Sequence, residues 1–580
     1  MNIYSNIRDL VVSSLDKMVS DGFLEIGLRY DNISVEPPRD QAHGDMATNA
    51  AMVLAKLANK PPRQIAEYLS NILISDERVR EVNVAGPGFI NIRIEEPVLQ
   101  AVVKSSLLLG SKYGQTQLGN GKRVNVEYIS ANPTGPLHVG HTRGAVFGDA
   151  LSNLLNYVGY DVTREYYIND GGTQVDVLAR SVYLRYLEAH GQEVVFEDGT
   201  YPGEYLVEVG LALKAEVGDR FLKEDEKVWL EFIRDYSTDI MMKLIREDLD
   251  SLGIKMDNYF SEKSVYSERK IDLTIEQLSK RGLIYEGVLE PPKGKKLDDW
   301  SPRKQTLFKS TNFGDDVDRP VKKSDGTWTY FAPDIAYHFD KIDRGYDILI
   351  DILGADHGGY VKRMKAAVLA LSDTKVELDV KLVQLVKLYR NGVPFKMSKR
   401  AGTFVTLSDL IQEVGSDVVR FVMLTRKNDA PLDFDLEKVL DQSKDNPVFY
   451  VQYAHARVCS VLRKAVEADI DVSDQNLASA DLSQNNHQVE LRLIKKLAEW
   501  PRLVQVSAKT NEPHRVAFYL YELAGDFHSL WNKGNDEKRL RFIQEDTTIA
   551  LAKLALARSV AIVISSGLSI LGVEAVSEMR

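Results

Sequence analysis

The chain has 580 residues, too many for one hydrophobic core and enough for about three or four domains. It is 44% hydrophobic, 27% charged and 9% aromatic, the balance of a globular enzyme, and its single cysteine, Cys459, excludes an internal disulfide and a Cys-rich zinc site and fits a reducing compartment. A net charge of −11 argues against a uniformly basic nucleic-acid binder, yet a local basic face suffices for phosphate contact.

Met1 to Gly22 carries apolar residues at Ile3, Ile7, Leu10, Val11, Leu15 and Met18, a helical spacing that Asp9 and Asp16 interrupt. It is therefore neither a signal sequence nor a basic membrane-surface helix. No stretch approaches the ~18 uninterrupted apolar residues of a membrane span, and a cytoplasmic protein without a membrane partner is expected. Residues 1–110 mix helices with one alternating strand, Gly88 to Ile94, and Gly110 to Lys122 reads as a linker.

Val124 to Ile129 is a strand, and Ser130-Ala131-Asn132-Pro133-Thr134-Gly135-Pro136 breaks it. Helical periodicity starts at Thr142, and a second strand follows from Tyr160 to Ile168, ended by Asn169-Asp170-Gly171-Gly172. Strand, turn, helix, strand is a right-handed crossover, so a parallel sheet is expected. Residues 180–250 read as a charged helical insertion, with further strands at Tyr346 to Leu353 and Leu382 to Leu388. From Asn446 onward only helical periodicity remains, with a loop at Asp469 to Gln488. The expected division is 1–110, 111–440 and 441–580.

Two motifs carry chemistry. His138-Val139-Gly140-His141 opens a helix after a Pro/Gly-broken turn, where backbone amides and the helix dipole favour an anion. The two imidazoles either donate to phosphate oxygens or merely cap the helix, and Gly140 lets a flat nucleotide approach the backbone. A metal reading needs a third ligand that the spacing does not supply. Downstream, Lys396-Met397-Ser398-Lys399-Arg400 follows a strand and an Asn391-Gly392 turn and leads into a helix over Leu407 to Val414. Its cations suit a closing loop that stabilises developing negative charge in phosphoryl or nucleotidyl transfer. A second basic cluster, Lys533, Lys538, Arg539 and Arg541, reads equally as a solvated face.

Together these motifs resemble the signature pair of the class I aminoacyl-tRNA synthetases. Further segments resemble the arginyl-tRNA synthetase family: Ser130 to His141 as a whole, Tyr167-Ile168-Asn169-Asp170-Gly171-Gly172-Thr173-Gln174, Tyr259-Phe260-Ser261-Glu262, Gly354-Ala355-Asp356-His357, and Asn446 to Arg457. The resemblance runs from about residue 35 to the C-terminus. It implies a doubly wound, Rossmann-like α/β catalytic domain with a parallel sheet, an N-terminal α+β module that contacts the tRNA elbow, and a C-terminal all-α bundle that binds the anticodon. Some arginyl enzymes lack the first lysine of the KMSK loop and carry one before the HxGH histidine. This chain keeps Lys396, and Pro136-Leu137 precede His138.

The implied reaction activates arginine with magnesium-bound ATP and transfers it to the 3′-terminal adenosine of tRNA(Arg). The implied catalytic residues are His138, His141, Lys396 and Lys399. ATP would also meet Pro136, Leu137, Gly140, Gly354, Asp356, His357, Met397 and Ser398. A guanidinium is planar, permanently charged and rich in donors, so its pocket calls for carboxylates. The resemblance supplies Glu262 and Asp334, with Tyr330 against the guanidinium and Ser130, Asn132 and Gln174 at the amino-acid end. By residue type alone both carboxylates are surface groups. Phe89 and Asn91 match base-reading positions, although Gly86 stands where some members have asparagine. Tyr450, Tyr453, Arg457 and Trp531 are anticodon-stacking candidates or bundle core. No protein nucleophile, resident metal or zinc is implied, and family members usually act as monomers that need tRNA for activation. A synthetase for another amino acid, a silent tRNA-binding paralogue and a free-standing nucleotidyltransferase are the competing readings.

Overall fold

A computed structural model describes residues 2–38, 40–289, 303–394, 405–441 and 446–579. The chain divides into two compact units, Gln117–Gln442 and a second built from Met1–Thr116 with Ser443–Arg580.

The Gln117–Gln442 unit is organised by a five-stranded sheet. Its strands lie in the spatial order Glu377–Val383, Ile348–Gly354, Arg123–Glu127, Asp161–Ile168, Asn258–Ser261, and every pairing is parallel. Arg123–Glu127 comes first in sequence. The chain builds outward from it on one side, then crosses back to add the last two strands on the other. That reversal leaves a crevice beyond the carboxyl ends of Arg123–Glu127 and Ile348–Gly354, the usual ligand position in open α/β sheets. Helix Val139–Tyr157 makes the first crossover, as the strand-turn-helix-strand pattern requires.

Between the second and third strands the insertion forms helices Thr173–Ala189, Tyr205–Val217 and Glu226–Ser251. They share a core of their own around Leu178, Tyr186, Leu206, Phe221 and Trp229. Patterning makes Leu382 to Leu388 one strand. The structure divides it between Glu377–Val383 and Val386–Arg390, and the latter pairs with Leu432–Asp435 in a separate sheet. The short strands Asn258–Ser261, Ile284–Gly287, Gln305–Phe308 and Arg319–Lys322 carry too few residues to show a period and escape the sequence reading.

The other unit joins an antiparallel four-stranded sheet to a helical bundle. Its joint lies partly in Gly110 to Lys122, a segment whose composition suggests a plain linker. Tyr113 is 1% exposed. Its hydroxyl donates to Leu497 O at 3.1 Å, and its carbonyl accepts from Trp500 Nε1 at 3.0 Å. Gly114 has a φ of +96°, and a Cβ there would lie 2.4 Å from Trp500 Nε1, so both the backbone and the space require glycine. Asp469 to Gln488 is not all loop, since it contains the helix Asp474–Ala478. The last helix, Thr547–Leu571, is long and apolar enough to cross a membrane by length and composition. However, 83% of that stretch is buried, as befits the central helix of a bundle.

Candidate active site

The strand Arg123–Glu127 ends in a strained turn. Ile129 and Ser130 have φ of +72° and +37°, and a β-branched residue seldom adopts such a backbone. What fixes the turn is hydrogen bonding within it and across to the next strand: Ser130 Oγ donates to Glu127 Oε1 at 3.0 Å and accepts from Tyr167 N at 3.1 Å. Asn169 Nδ2 donates to Ser130 O at 3.2 Å, and Tyr166 OH donates to Ala131 O at 2.7 Å. Asn132 Nδ2 then reaches Gln174 Oε1 at 2.8 Å, so three of the residues assigned to the amino-acid end lie along one short path.

His138 is the N-cap of Val139–Tyr157. Its Nδ1 accepts from Gly140 N at 3.0 Å, and His141 Nδ1 accepts from His138 N at 3.4 Å, a capping box built from two histidines. The rings stack with centroids 3.9 Å apart. Capping and phosphate binding, alternatives by sequence, are here compatible. With each Nδ1 accepting, a neutral ring carries its proton on Nε2, a donor. A Cβ at Gly140 would lie 2.8 Å from His138 Cε1, so the glycine also makes room for the folded-back imidazole.

Leu137 is buried, and its N–H donates to the carboxylate of Asp248 at 2.8 Å. Burial pushes Asp248 up to about 6, against the lowering effect of that bond. Leu137 O accepts from Leu407 N at 2.9 Å, Val139 N donates to Val405 O at 3.4 Å, and His138 bridges Thr406. The first motif is thereby tied to residues 405–407, immediately after the second. Lys396, Met397, Ser398 and Lys399 themselves lie outside the described residues.

Two cavities meet at this turn. One, of about 440 Å³, is lined by His138, Gly140, His141, Asn132, Gly354, Asp356 and His357. Pro136 is half-buried and, like Leu137, is not part of that lining. The neighbouring cavity, of about 280 Å³, shares Ile129, Ser130, Asn169, Gly354 and His357 and continues to Asp334, Tyr337, His338 and Tyr360. Asp334 sits in its wall. Burial pushes its carboxyl up to about 7, with His338 lowering it and Glu262 raising it. Burial also raises Glu262, against a hydrogen bond from Gly171 and with help from Asp170. Glu262 is thus near enough to raise Asp334, but it lies outside the lining of either cavity. The structure leaves Tyr330 90% exposed at the start of helix Phe331–Asp343, likewise outside both linings.

Beneath the second cavity lies a charge network that the sequence reading misses. Asp334, Tyr337, His338 and Lys341 fall at i, i+3, i+4 and i+7 of one helix and share a face. Lys341 is 0% exposed, and its Nζ donates to Glu127 Oε2 at 2.6 Å and to Asp351 Oδ1 at 3.1 Å. His338 Nε2 meets Asp351 Oδ2 at 2.8 Å, while its Nδ1 meets Asp334 O at 2.8 Å. Tyr337 OH donates to Glu165 Oε1 at 2.7 Å, and Arg344 forks onto both Glu165 oxygens at 2.6 and 2.8 Å. Burial opposes ionisation of Glu165, but Arg344 and Lys341 outweigh it and hold it down to about 2. Asp351 is likewise lowered, burial being outweighed by Lys341 and His338. The usable signal is polar: four non-aliphatic residues at helical spacing, which by themselves read as a solvent face.

In the other unit, Phe89, Asn91 and Gly86 line one cavity of about 720 Å³ on the N-terminal sheet. Tyr450, Tyr453, Arg457 and Trp531 form a half-buried cluster on helices Pro447–Glu467 and His514–Asp536. Arg457 stacks 4.1 Å from the Tyr453 ring and 5.0 Å from Trp531, and it donates to His528 Nδ1 at 3.1 Å. Burial pushes His528 down to about 4, which keeps that nitrogen an acceptor.

A parallel sheet with a helix-start histidine pair at its switch point, bordered by two adjoining cavities, is the arrangement of the catalytic domain of a class I aminoacyl-tRNA synthetase. The family model described as tRNA synthetases class I (R), catalytic domain, matches residues 102–460. The Arginyl tRNA synthetase N terminal domain matches 5–94, and the DALR anticodon binding domain matches 451–579. The chain is 68% identical to an arginine–tRNA ligase of Ruegeria pomeroyi over 581 residues and 66% identical to one of Roseobacter denitrificans over 580, with both members of each pair fully covered. The Thermus thermophilus arginyl-tRNA synthetase structure shares the fold, with a TM-score of 0.75 at 21% identity over 99% of this chain and 100% of that one. The chain belongs to the arginyl-tRNA synthetase family.

Proposed function

We infer that this arginine–tRNA ligase works in two steps at the paired cavities. The arginine carboxylate attacks the α-phosphorus of ATP, which arrives with magnesium. An oxygen–phosphorus bond forms, the bond to the β-phosphate oxygen breaks, and pyrophosphate leaves. The 2′-hydroxyl of the tRNA's terminal adenosine then attacks the mixed anhydride, losing its proton as AMP departs with the bonding pair.

The histidine-lined cavity takes the ATP. Nε2 of His138 and His141, with Lys396 and Lys399, stabilises charge on the five-coordinate phosphorus. Gly354, Asp356, His357 and Gly140 border the nucleotide, joined by Met397 and Ser398, while Pro136 and Leu137 support the turn from outside the cavity lining. The neighbouring cavity takes arginine, with Ser130, Asn132 and Gln174 at the amino-acid end and Glu262 and Asp334 at the guanidinium. Tyr330 stacks on that group if its exposed ring turns inward when the ligand arrives.

One observation carries the choice of arginine: the Asp334 carboxyl, raised by burial and further by Glu262, stands in the wall of a cavity that adjoins the histidine pair. Like charges held in such a place call for a cation between them. Binding of tRNA(Arg) through the C-terminal domain fits the family match, with Tyr450, Tyr453, Arg457 and Trp531 as anticodon contacts. Phe89 and Asn91 serve the elbow. The working division is 1–110, 111–440 and 441–580, in a cytoplasmic monomer with no membrane partner and no zinc. ATP–pyrophosphate exchange with each amino acid, with and without tRNA, tests the reading. Exchange with arginine alone, and only when tRNA is present, is expected; equal exchange with another amino acid overturns the specificity.

A further inference from the structure

The insertion has a core of its own, and among the described residues none from its three helices lines either cavity. The two-step chemistry leaves it without a task, but its hydrogen bonds point to one. Each helix sends a side chain to the same short segment, residues 132–137, which leads into the histidine pair. Gln174 on Thr173–Ala189 accepts from Asn132 Nδ2 at 2.8 Å. Tyr205 on Tyr205–Val217 donates its hydroxyl to Thr134 O at 2.6 Å, and Asp248 on Glu226–Ser251 accepts from Leu137 N at 2.8 Å.

The segment belongs to no helix or strand, so no ladder satisfies its backbone. Thr134 is 6% and Leu137 is 1% exposed, which denies water to both residues. Side chains must then supply the partners, and their placement decides where the chain runs. The Tyr205 ring is fitted between two glycines: a Cβ at Gly203 would lie 2.2 Å from its Cε1, and one at Gly135 would lie 3.0 Å from its hydroxyl. Asp248 is braced in turn. Arg420, 1% exposed, donates to Leu252 O at 2.8 Å, just beyond Glu226–Ser251, and pairs with Asp149 on the helix that His138 opens.

We propose that Tyr205 and Asp248 are positioning residues through which the insertion holds residues 134–137 and thereby aims Nε2 of His138 and His141 at the phosphates of ATP. The proposal rests on the reading above that the histidine pair meets ATP. Leu137 is joined directly to His138, so a displaced Leu137 N–H moves the start of the helix and both rings with it.

Arginine-dependent ATP–pyrophosphate exchange by the full chain, with tRNA(Arg) present, tests it. Asp248→Ala should lower kcat about 10- to 100-fold and leave KM for arginine unchanged. Asp248→Asn should recover most of that loss, because its amide oxygen still accepts the Leu137 N–H. Tyr205→Phe, which removes one oxygen and keeps the ring, should lower kcat about 3- to 10-fold. In a His138→Ala background either change should cost no more than about twofold, since the group it aims is gone. A variant that merely reduced the folded fraction would lose the same factor in any background.

If either change keeps its full factor without the His138 imidazole, it does not act through the histidine and the proposal falls. Asp248→Asn as slow as Asp248→Ala would assign the effect to charge and overturn it as well. Tyr205→Phe carries the same cycle should Asp248→Ala not fold, and exchange by Tyr205→Phe at the wild-type rate removes the clamp. Wild-type exchange by His138→Ala itself would instead remove the parent reading of the cavity, and the proposal with it.

Discussion

The two cavities differ in how they are made. The cavity that we assign to arginine rests on side chains locked from below, with a fully buried lysine, two carboxylates bonded to it and a histidine closing the chain. The histidine-lined cavity is mostly backbone: a helix start, three glycines and two imidazoles oriented by main-chain amides of the same turn. Among the described residues, no lysine or arginine lines it. The contrast separates two tasks. Choosing an amino acid requires groups that stay put before the ligand arrives, because a mobile carboxylate would accommodate a neutral isostere. Stabilising a transient charge requires groups that act only in the transition state, and the sequence assigns these to a segment tethered to His138 through residues 405–407.

Substitutions on each side should fail differently. Asp334→Asn leaves a buried guanidinium without its charge partner, a loss on the order of 3–5 kcal/mol, or roughly 10²- to 10⁴-fold in kcat/KM for arginine. Citrulline, the neutral near-isostere, should be rejected by the wild type to a similar degree and gain ground in the variant. Measuring kcat/KM for both substrates checks this, and equal activation of citrulline and arginine by wild type would break the comparison. On the other side, Lys399→Ala should lower the rate of pyrophosphate exchange by about 10²-fold while leaving KM for arginine near its wild-type value. Should only the KM for ATP move, the loop binds the ground state, and the division between prebuilt and transient groups would not hold there.

Most of the architecture is legible in the sequence because it rests on period and punctuation. The parallel sheet follows from one strand-turn-helix-strand unit, and the bundle from sustained helical spacing after Asn446. Helix Leu407–Val414 forms over the residues its pattern marks, aided by Thr406 and Asp409 as a capping box. Short strands fail because four residues cannot display a period. The site divides the same way. His138 and His141 are visible since a local turn places them. Glu127, His338, Lys341 and Asp351 are invisible because their partners come from other strands and helices, as with the 214-residue separation between Lys341 and Glu127. A lysine at helical spacing ordinarily faces water, and only tertiary pairing reverses that. Tyr330 shows the opposite limit: its position in the motif suggests stacking, whereas the structure leaves it in solvent.

The smallest expected effect is also the one that separates the cavities by pH. Asp334 is raised to about 7 and Glu262 is raised as well, both chiefly by burial. Below that value the empty pocket holds Asp334 mainly as the neutral acid, yet a guanidinium pairs with the carboxylate. Arginine must then displace a proton, so its KM should rise as pH falls from 8 through 7 toward 6, approaching about tenfold per pH unit on the acid side. Binding should release close to one proton below pH 7 and almost none at pH 8.5, which calorimetry in buffers of different ionisation enthalpy measures directly. The KM for ATP serves as the internal control, since neither Asp334 nor Glu262 lines the histidine cavity. A parallel rise in both constants would mean that the pH dependence belongs to a group outside the arginine pocket, and Asp248, raised to about 6 and bonded to Leu137 N at the base of the histidine turn, is the first to examine. Asp334→Asn distinguishes the two sources: it should flatten the arginine profile and leave any contribution from Asp248 in place.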